Sequence, residues 1–124
     1  ILIIINFLGP TNNENFTSLE SKSSIIDKVN VSATPFINNK NLTIKLRFET
    51  YEFPELLKVN IYDLSLLKLS DQLIDNVKWK IESESKYVLE GILSTELDSF
   101  ISKSEMISLE LFFSKPLVFN WTFD

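Results

Sequence analysis

The side chains in this chain that could do chemistry are carboxylates, lysines, tyrosines and hydroxyls. The 124 residues include no His, no Cys and two Gly. Arg47 is the lone arginine. Without His there is no imidazole general base, no Ser-His-Asp triad, and none of the commonest metal ligand. Without Cys there is no thiolate nucleophile, disulfide or thiolate-held zinc or iron–sulfur site. Gly9 and Gly91 stand far apart. They form neither Gly-x-Gly-x-x-Gly nor Gly-x-x-x-x-Gly-Lys, so the glycine-rich loops that cradle phosphates are absent. The chemistry left is that of acids. Glu49, Glu52 and Glu55 surround the turn at Pro54, Glu82 and Glu84 flank a hairpin, and Asp63, Asp71 and Asp75 fall around a leucine-rich connection. Paired carboxylates hydrolyse glycosides only when spaced across a cleft. Acids at strand ends and turns read more simply as solvated charge. The expectation is a protein that is not an enzyme.

Charge narrows the partners. Twelve Lys and Arg against 17 Asp and Glu give a formal net charge of −5. Nucleic-acid binding rests on cations neutralising phosphates, and bidentate readout needs arginines, so nucleic acid is not an expected partner. A protein or an envelope component is.

Positioning these groups falls to strands. Leu42, Ile44, Leu46 and Phe48 alternate with Thr43, Lys45, Arg47 and Glu49. The same period of two runs through 57–62, 77–82, 87–92, 107–113 and 117–123. That is the signature of strands with one buried and one wet face, except at 87–92, where Val88 and Ile92 read as a strand covered on both sides. A further strand at 29–37 carries Pro35, which points to an edge. Two stretches have helical spacing: Leu66, Leu69 and Leu73 within 65–75, and Leu97 and Ile101 after Ser94-Thr95. With so few glycines, Asn carries the turns, as at Asn38-Asn39-Lys40-Asn41. The expected fold is all-β: an antiparallel β-sandwich, immunoglobulin-like or related, of about seven strands with one or two short helical connections. A small closed barrel is the alternative.

Three segments are expected along the chain. Residues 1–10 hold the apolar run Ile1-Leu2-Ile3-Ile4-Ile5-Asn6-Phe7-Leu8, read as a signal or anchor remnant or as a first strand. It is shorter than the roughly 20 residues that span a bilayer. Residues 11–24 have the polar composition of a linker, and residues 25–124 form the sandwich domain. This layout points to an extracytoplasmic or envelope location, with membrane contact through the N-terminal segment.

Ten Phe, three Tyr and two Trp supply the core. Phe112 is set apart, because strand parity places it on the face opposite Phe113. Beside Val118 it marks a candidate partner surface. Four Asn-x-Ser/Thr sequons occur, at Asn15, Asn30, Asn41 and Asn120; composition alone gives about two.

The stretch Leu57-Lys58-Val59-Asn60-Ile61-Tyr62-Asp63-Leu64-Ser65, with Ser70-Asp71-Gln72-Leu73-Ile74 after it, resembles the calcium-loop side of a C2 domain. In that family a strand ends in Asp-x-Asp, with another Asp six residues on, then two apolar residues and a Gly. Asp63 and Asp71 match the first and last acids, Ser65 replaces the middle one, and the Gly is missing. The resemblance covers Leu42 to Val77. It implies calcium-dependent membrane-surface binding, with Asp63, Asp71 and Asp75 as candidate ligands. Calcium prefers six to eight oxygen ligands, and this loop offers few charged ones.

The functional expectation is a non-enzymatic binding or structural module, exported or membrane-tethered at a cell envelope. Two alternatives stand beside it: a carrier enclosing a small apolar ligand, and the C2-like calcium-binding domain.

Overall fold

The computed structural model describes residues 16–102 and 104–123. The expected segment 1–10 lies outside them. Among the described residues ten strands form two antiparallel sheets: β1 (Phe16–Ser18), β2 (Lys22–Ile26), β3 (Val29–Asn38), β4 (Asn41–Glu49), β5 (Ser65–Leu69), β6 (Gln72–Ile74), β7 (Lys78–Glu84), β8 (Val88–Glu96), β9 (Met106–Phe112) and β10 (Pro116–Thr122). The large sheet runs β1-β3-β4-β8-β7, with β2 also paired to β3, and the small sheet runs β10-β9-β5-β6. The all-β sandwich is therefore as expected, with about ten strands instead of seven. An immunoglobulin domain divides its strands ABED and CFG. Here β2, β3 and β4 stay together as one meander, a different order.

Alternation builds the core. Val29, Val31, Ala33 and Ile37 of β3, Leu42, Ile44, Leu46 and Phe48 of β4, and Leu89 and Leu93 of β8 are all buried. They face Leu67, Ile107, Leu109, Leu111, Phe119 and Trp121 of the small sheet within one cluster. Gly91 and Thr95 continue the β8 rhythm.

Four expectations change. Pro35 does not mark an edge: it is buried in the middle of β3, paired with Ile44 of β4. On its other side β1 covers residues 36–38 and β2 covers 29–33, and the break between them falls at Pro35. Leu19 N–H donates to Pro35 O at 3.0 Å. The missing N–H of Pro35 points to the same side, so it faces the interruption and costs no ladder bond.

That edge strand also revises the linker. Residues from Phe16 onward are already paired in the sheet, well before the expected boundary at Ile25. Only the part of 11–24 up to Asn15 lies outside the described residues.

The helical spacing at 65–75 belongs to a hairpin. β5 and β6 pair Leu69 with Gln72 across the two residues Ser70 and Asp71, whose φ values are 49° and 70°. That two-residue turn suits the twist of paired strands, and it decides the segment against helix. Residues 97–102 likewise form no helix, although Leu97 and Ile101 are buried.

The expected strand at 57–62 is replaced by a 3₁₀ turn, Pro54–Leu57, and a one-turn helix α1, Ile61–Leu64. Proline presets the first helical position, and the Asn60 side chain accepts from Tyr62 N at 3.0 Å. Leu57 and Ile61 are still buried, so the apolar spacing serves the core through helical turns. No helix among the described residues is long and apolar enough to cross a membrane.

Candidate functional site

The small sheet turns Ile107, Leu109 and Leu111 of β9 inward, which leaves Met106, Ser108, Glu110 and Phe112 on its outer face. On β10 Phe119 and Trp121 go inward, leaving Pro116, Val118, Asn120 and Thr122 outside. Register aligns these outward residues into rows. Pro116 stands opposite Phe112, and Val118 opposite Glu110, which stands opposite Leu66. Asn120, Ser108, Lys68 and Leu73 make the next row, and Thr122 pairs with Met106. Four large apolar side chains are exposed on this one face: Leu73 at 58%, Val118 at 48%, Met106 at 47% and Phe112 at 41%.

The sequence-derived pair Phe112 and Val118 is thus placed together on one outer face, diagonal to each other across the β9–β10 ladder. Parity could also have found Met106. Leu66 and Leu73 were hidden by the helical spacing of their segment.

The face is held firmly from behind. Phe113, next to Phe112, turns the other way and meets Phe48 edge-on, with ring centroids 6.1 Å apart at 68°. Ser114 Oγ at the hairpin tip donates to Asp27 Oδ1 at 2.8 Å, tying the tip to the β2–β3 turn of the large sheet. The β10 edge is closed against β2. Trp121 Nε1 donates to Glu20 O at 2.7 Å, and Lys22 Nζ donates to Asn120 O. The Lys22 ammonium also lies 5.9 Å from the Trp121 ring centroid. β10 is an edge strand of the small sheet, and part of its free side is covered by β2.

The outer face of the large sheet has the opposite character. Ser32, Arg47 and Glu90 form one row. Arg47 donates to Glu90 Oε2 at 3.1 Å and to Glu49 Oε1 at 2.9 Å. Tyr51 Oη donates to the other Glu49 oxygen. The Tyr51 hydrogen bond, reinforced by Arg47, holds the Glu49 carboxyl below its ordinary range, and Glu49 in turn raises Tyr51. Sequence reasoning grouped Glu49 with Glu52 and Glu55; in the structure Glu52 instead pairs with Lys28 at 3.0 Å.

Two surface clefts lie at the β6–β8 end. One, of about 640 Å³, is lined by Ser70, Gln72, Leu73, Asp75, Glu96, Asp98 and Glu105 among others. The second, of about 510 Å³, is lined by Asn41, Thr43, Asn76, Lys78, Ser94, Thr95 and Glu96. Asn76 is the ridge between them: Thr95 Oγ1 donates to its Oδ1 at 2.8 Å, and its Nδ2 donates to Glu96 O at 3.1 Å.

The three candidate calcium ligands are spread out. Asp63 is exposed on α1, Asp71 sits in the β5–β6 turn, and Asp75 lines the larger cleft. Among the described residues no group of three His, Cys, Asp or Glu is arranged to hold a metal ion. No protein-family model, curated protein or solved structure matches this chain.

Proposed function

We propose that this chain is a non-enzymatic binding or structural module, exported or membrane-tethered at a cell envelope, and that it meets a protein or envelope component through the outer face of its small sheet. The observation that carries this reading is the gathering of Phe112, Val118, Met106 and Leu73 on one outward face. Isolated exposed apolar residues need no explanation, but several on one rigid face mark an interaction surface. The face suits docking because its backbone is fixed by the core behind it and by the tie between Ser114 and Asp27. The apolar run at 1–8 supports tethering.

The test uses the chain added to envelope fragments of its source cells. The chain is expected to sediment with the fragments. Phe112→Ser with Val118→Ser should leave most of it in the supernatant, whereas Tyr51→Ser, just past the end of β4, should not. Equal retention of all three proteins would overturn the reading.

A further inference from the structure

We infer that Asn30, Asn41 and Asn120 are acceptor sites for N-linked glycans. The inference rests on the proposed export, since the transfer takes place on chains entering a secretory route. Its ligand class is a lipid-diphosphate-linked oligosaccharide.

The first observation is a division among the asparagines. Asn30, Asn41 and Asn120, each two residues before a Ser or Thr, are exposed, and their side chains make no hydrogen bond among the described residues. The described asparagines outside such motifs are placed differently. Asn60 caps α1 through Tyr62 N, and Asn76 bonds Thr95 and Glu96. Asn39 holds a turn at φ 59°, and Asn38 is half-buried with its Oδ1 enclosed. Asn39, Asn60 and Asn76, which serve the fold, lie outside the motif, as does Asn38, whose buried Oδ1 has no hydrogen-bond partner among the described residues.

The second observation is presentation. Residues i and i+2 of a strand point to the same face. β3, β4 and β10 therefore present each Asn amide together with its hydroxyl partner, Ser32, Thr43 or Thr122, on the outer side of the sandwich.

The third observation is what lies beside them. Asn30 stands directly opposite Ile25, an aliphatic side chain that is 68% exposed. Asn120 lies on β10 between Val118 and Thr122, the latter paired with Met106. A bulky, solubilising glycan at Asn30 covers apolar surface that the protein leaves bare. On the small sheet the Asn120 glycan stands on the partner face itself, in the row of Ser108, Lys68 and Leu73, and leaves the Phe112–Pro116 end open to a partner.

The step is a substitution at carbon. The Asn side-chain nitrogen bonds to the anomeric carbon of the oligosaccharide, the bond from that carbon to the diphosphate oxygen breaks, and lipid diphosphate leaves. The amide nitrogen gives up one proton, and nothing is oxidised or reduced.

The experiment takes the chain from its own cells, treats it with peptide N-glycosidase, and maps Asn-to-Asp conversion by mass spectrometry. Conversion is expected at positions 30, 41 and 120. Replacing the hydroxyl partner instead, with Ser32→Ala, Thr43→Val or Thr122→Val, should each abolish conversion at its own site while leaving the Asn in place. Conversion at fewer than two of the three sites overturns the inference. Labelling of intact cells with a membrane-impermeant reagent separates the two readings. A surface-labelled, unconverted chain defeats the glycan sites alone; a chain both unlabelled and unconverted defeats export as well.

Discussion

The indole of Trp79 lies across the α-carbon of Gly91 on the neighbouring strand, in the space that any side chain at position 91 would occupy. A Cβ built there would stand 2.5 Å from Cη2 of Trp79 and 2.6 Å from Lys80 O. Gly91 pairs with Ile81, just before the irregularity in β7 between Ile81 and Ser83. Rotating the indole away would relieve only half of the conflict, because the carbonyl of Lys80 belongs to the backbone. Gly91→Ala is expected to destabilise the fold by about 2–3 kcal/mol, the upper range for overpacking. Denaturant unfolding checks this. The substitution should stay costly in a Trp79→Ala background, where a purely side-chain clash would vanish.

Two hairpin turns place ordinary L-residues where glycine is at ease. Asp27 and Lys28 have φ of 53° and 64°, and Ser70 and Asp71 have 49° and 70°. Each pair links two strands through a two-residue loop. Lys28→Gly and Asp71→Gly should each stabilise the protein by about 1 kcal/mol, read as a higher denaturant midpoint, since left-handed backbone costs an L-residue roughly that much. Asp71→Gly also removes a candidate calcium ligand. Addition of millimolar calcium is expected to leave the melting temperatures of the parent and this variant equally unmoved.

The carboxyl of Glu49 sits below its ordinary range because Tyr51 donates to it, with Arg47 alongside. A depressed carboxyl contributes stability that is present above its ordinary pKa and is lost as pH falls through the lower, folded value. Tyr51 is raised by the same hydrogen bond. Its contribution is present below the ordinary phenol pKa of about 10 and is lost as pH rises through the higher, folded value. Melting temperature should therefore fall at both ends of the pH range, and Tyr51→Phe should flatten both falls. An unchanged pH profile in that variant would sink this account of the pair.

Much of the fold could be read in the residues, and the failures share a cause. Strict alternation in β4, β8, β9 and β10 announced strands because each has one face in the core and one in water. Phe112 and Phe113 could be sorted to opposite faces by parity alone. Where tertiary pairing outweighed local pattern, sequence reading went astray. Pro35 reads as an edge residue until the gap between β1 and β2 is seen beside it. Leu66, Leu69 and Leu73 fit a helix until a two-residue turn at Ser70-Asp71 folds them into a hairpin. That turn lacks glycine or asparagine, the usual sign of such a geometry. The same misreading hid Leu66 and Leu73 from the candidate site. Arg47 meets Glu49 two residues along the same strand, but it reaches Glu90 through a cross-strand register that spacing along the chain cannot reveal.

The candidate face should separate cleanly from the core in energetic terms. Phe112→Ser and Val118→Ser remove exposed side chains from outside the sheet, so each should change stability by no more than about 0.5 kcal/mol. Phe119→Ala, on the inner side of the same strand, should cost about 3–5 kcal/mol. A large loss from Phe112→Ser would show that its ring serves the fold and would remove the reason to assign it to a partner.

The most direct test of the proposed role is site-specific photo-crosslinking in intact source cells, with a photoreactive amino acid placed at position 112 and, in a separate protein, at position 83 on β7 of the large sheet. Position 112 is expected to yield a discrete, light-dependent adduct with a protein or envelope component, and position 83 none. The same adduct from both positions, or no adduct from position 112, would contradict docking through the small sheet.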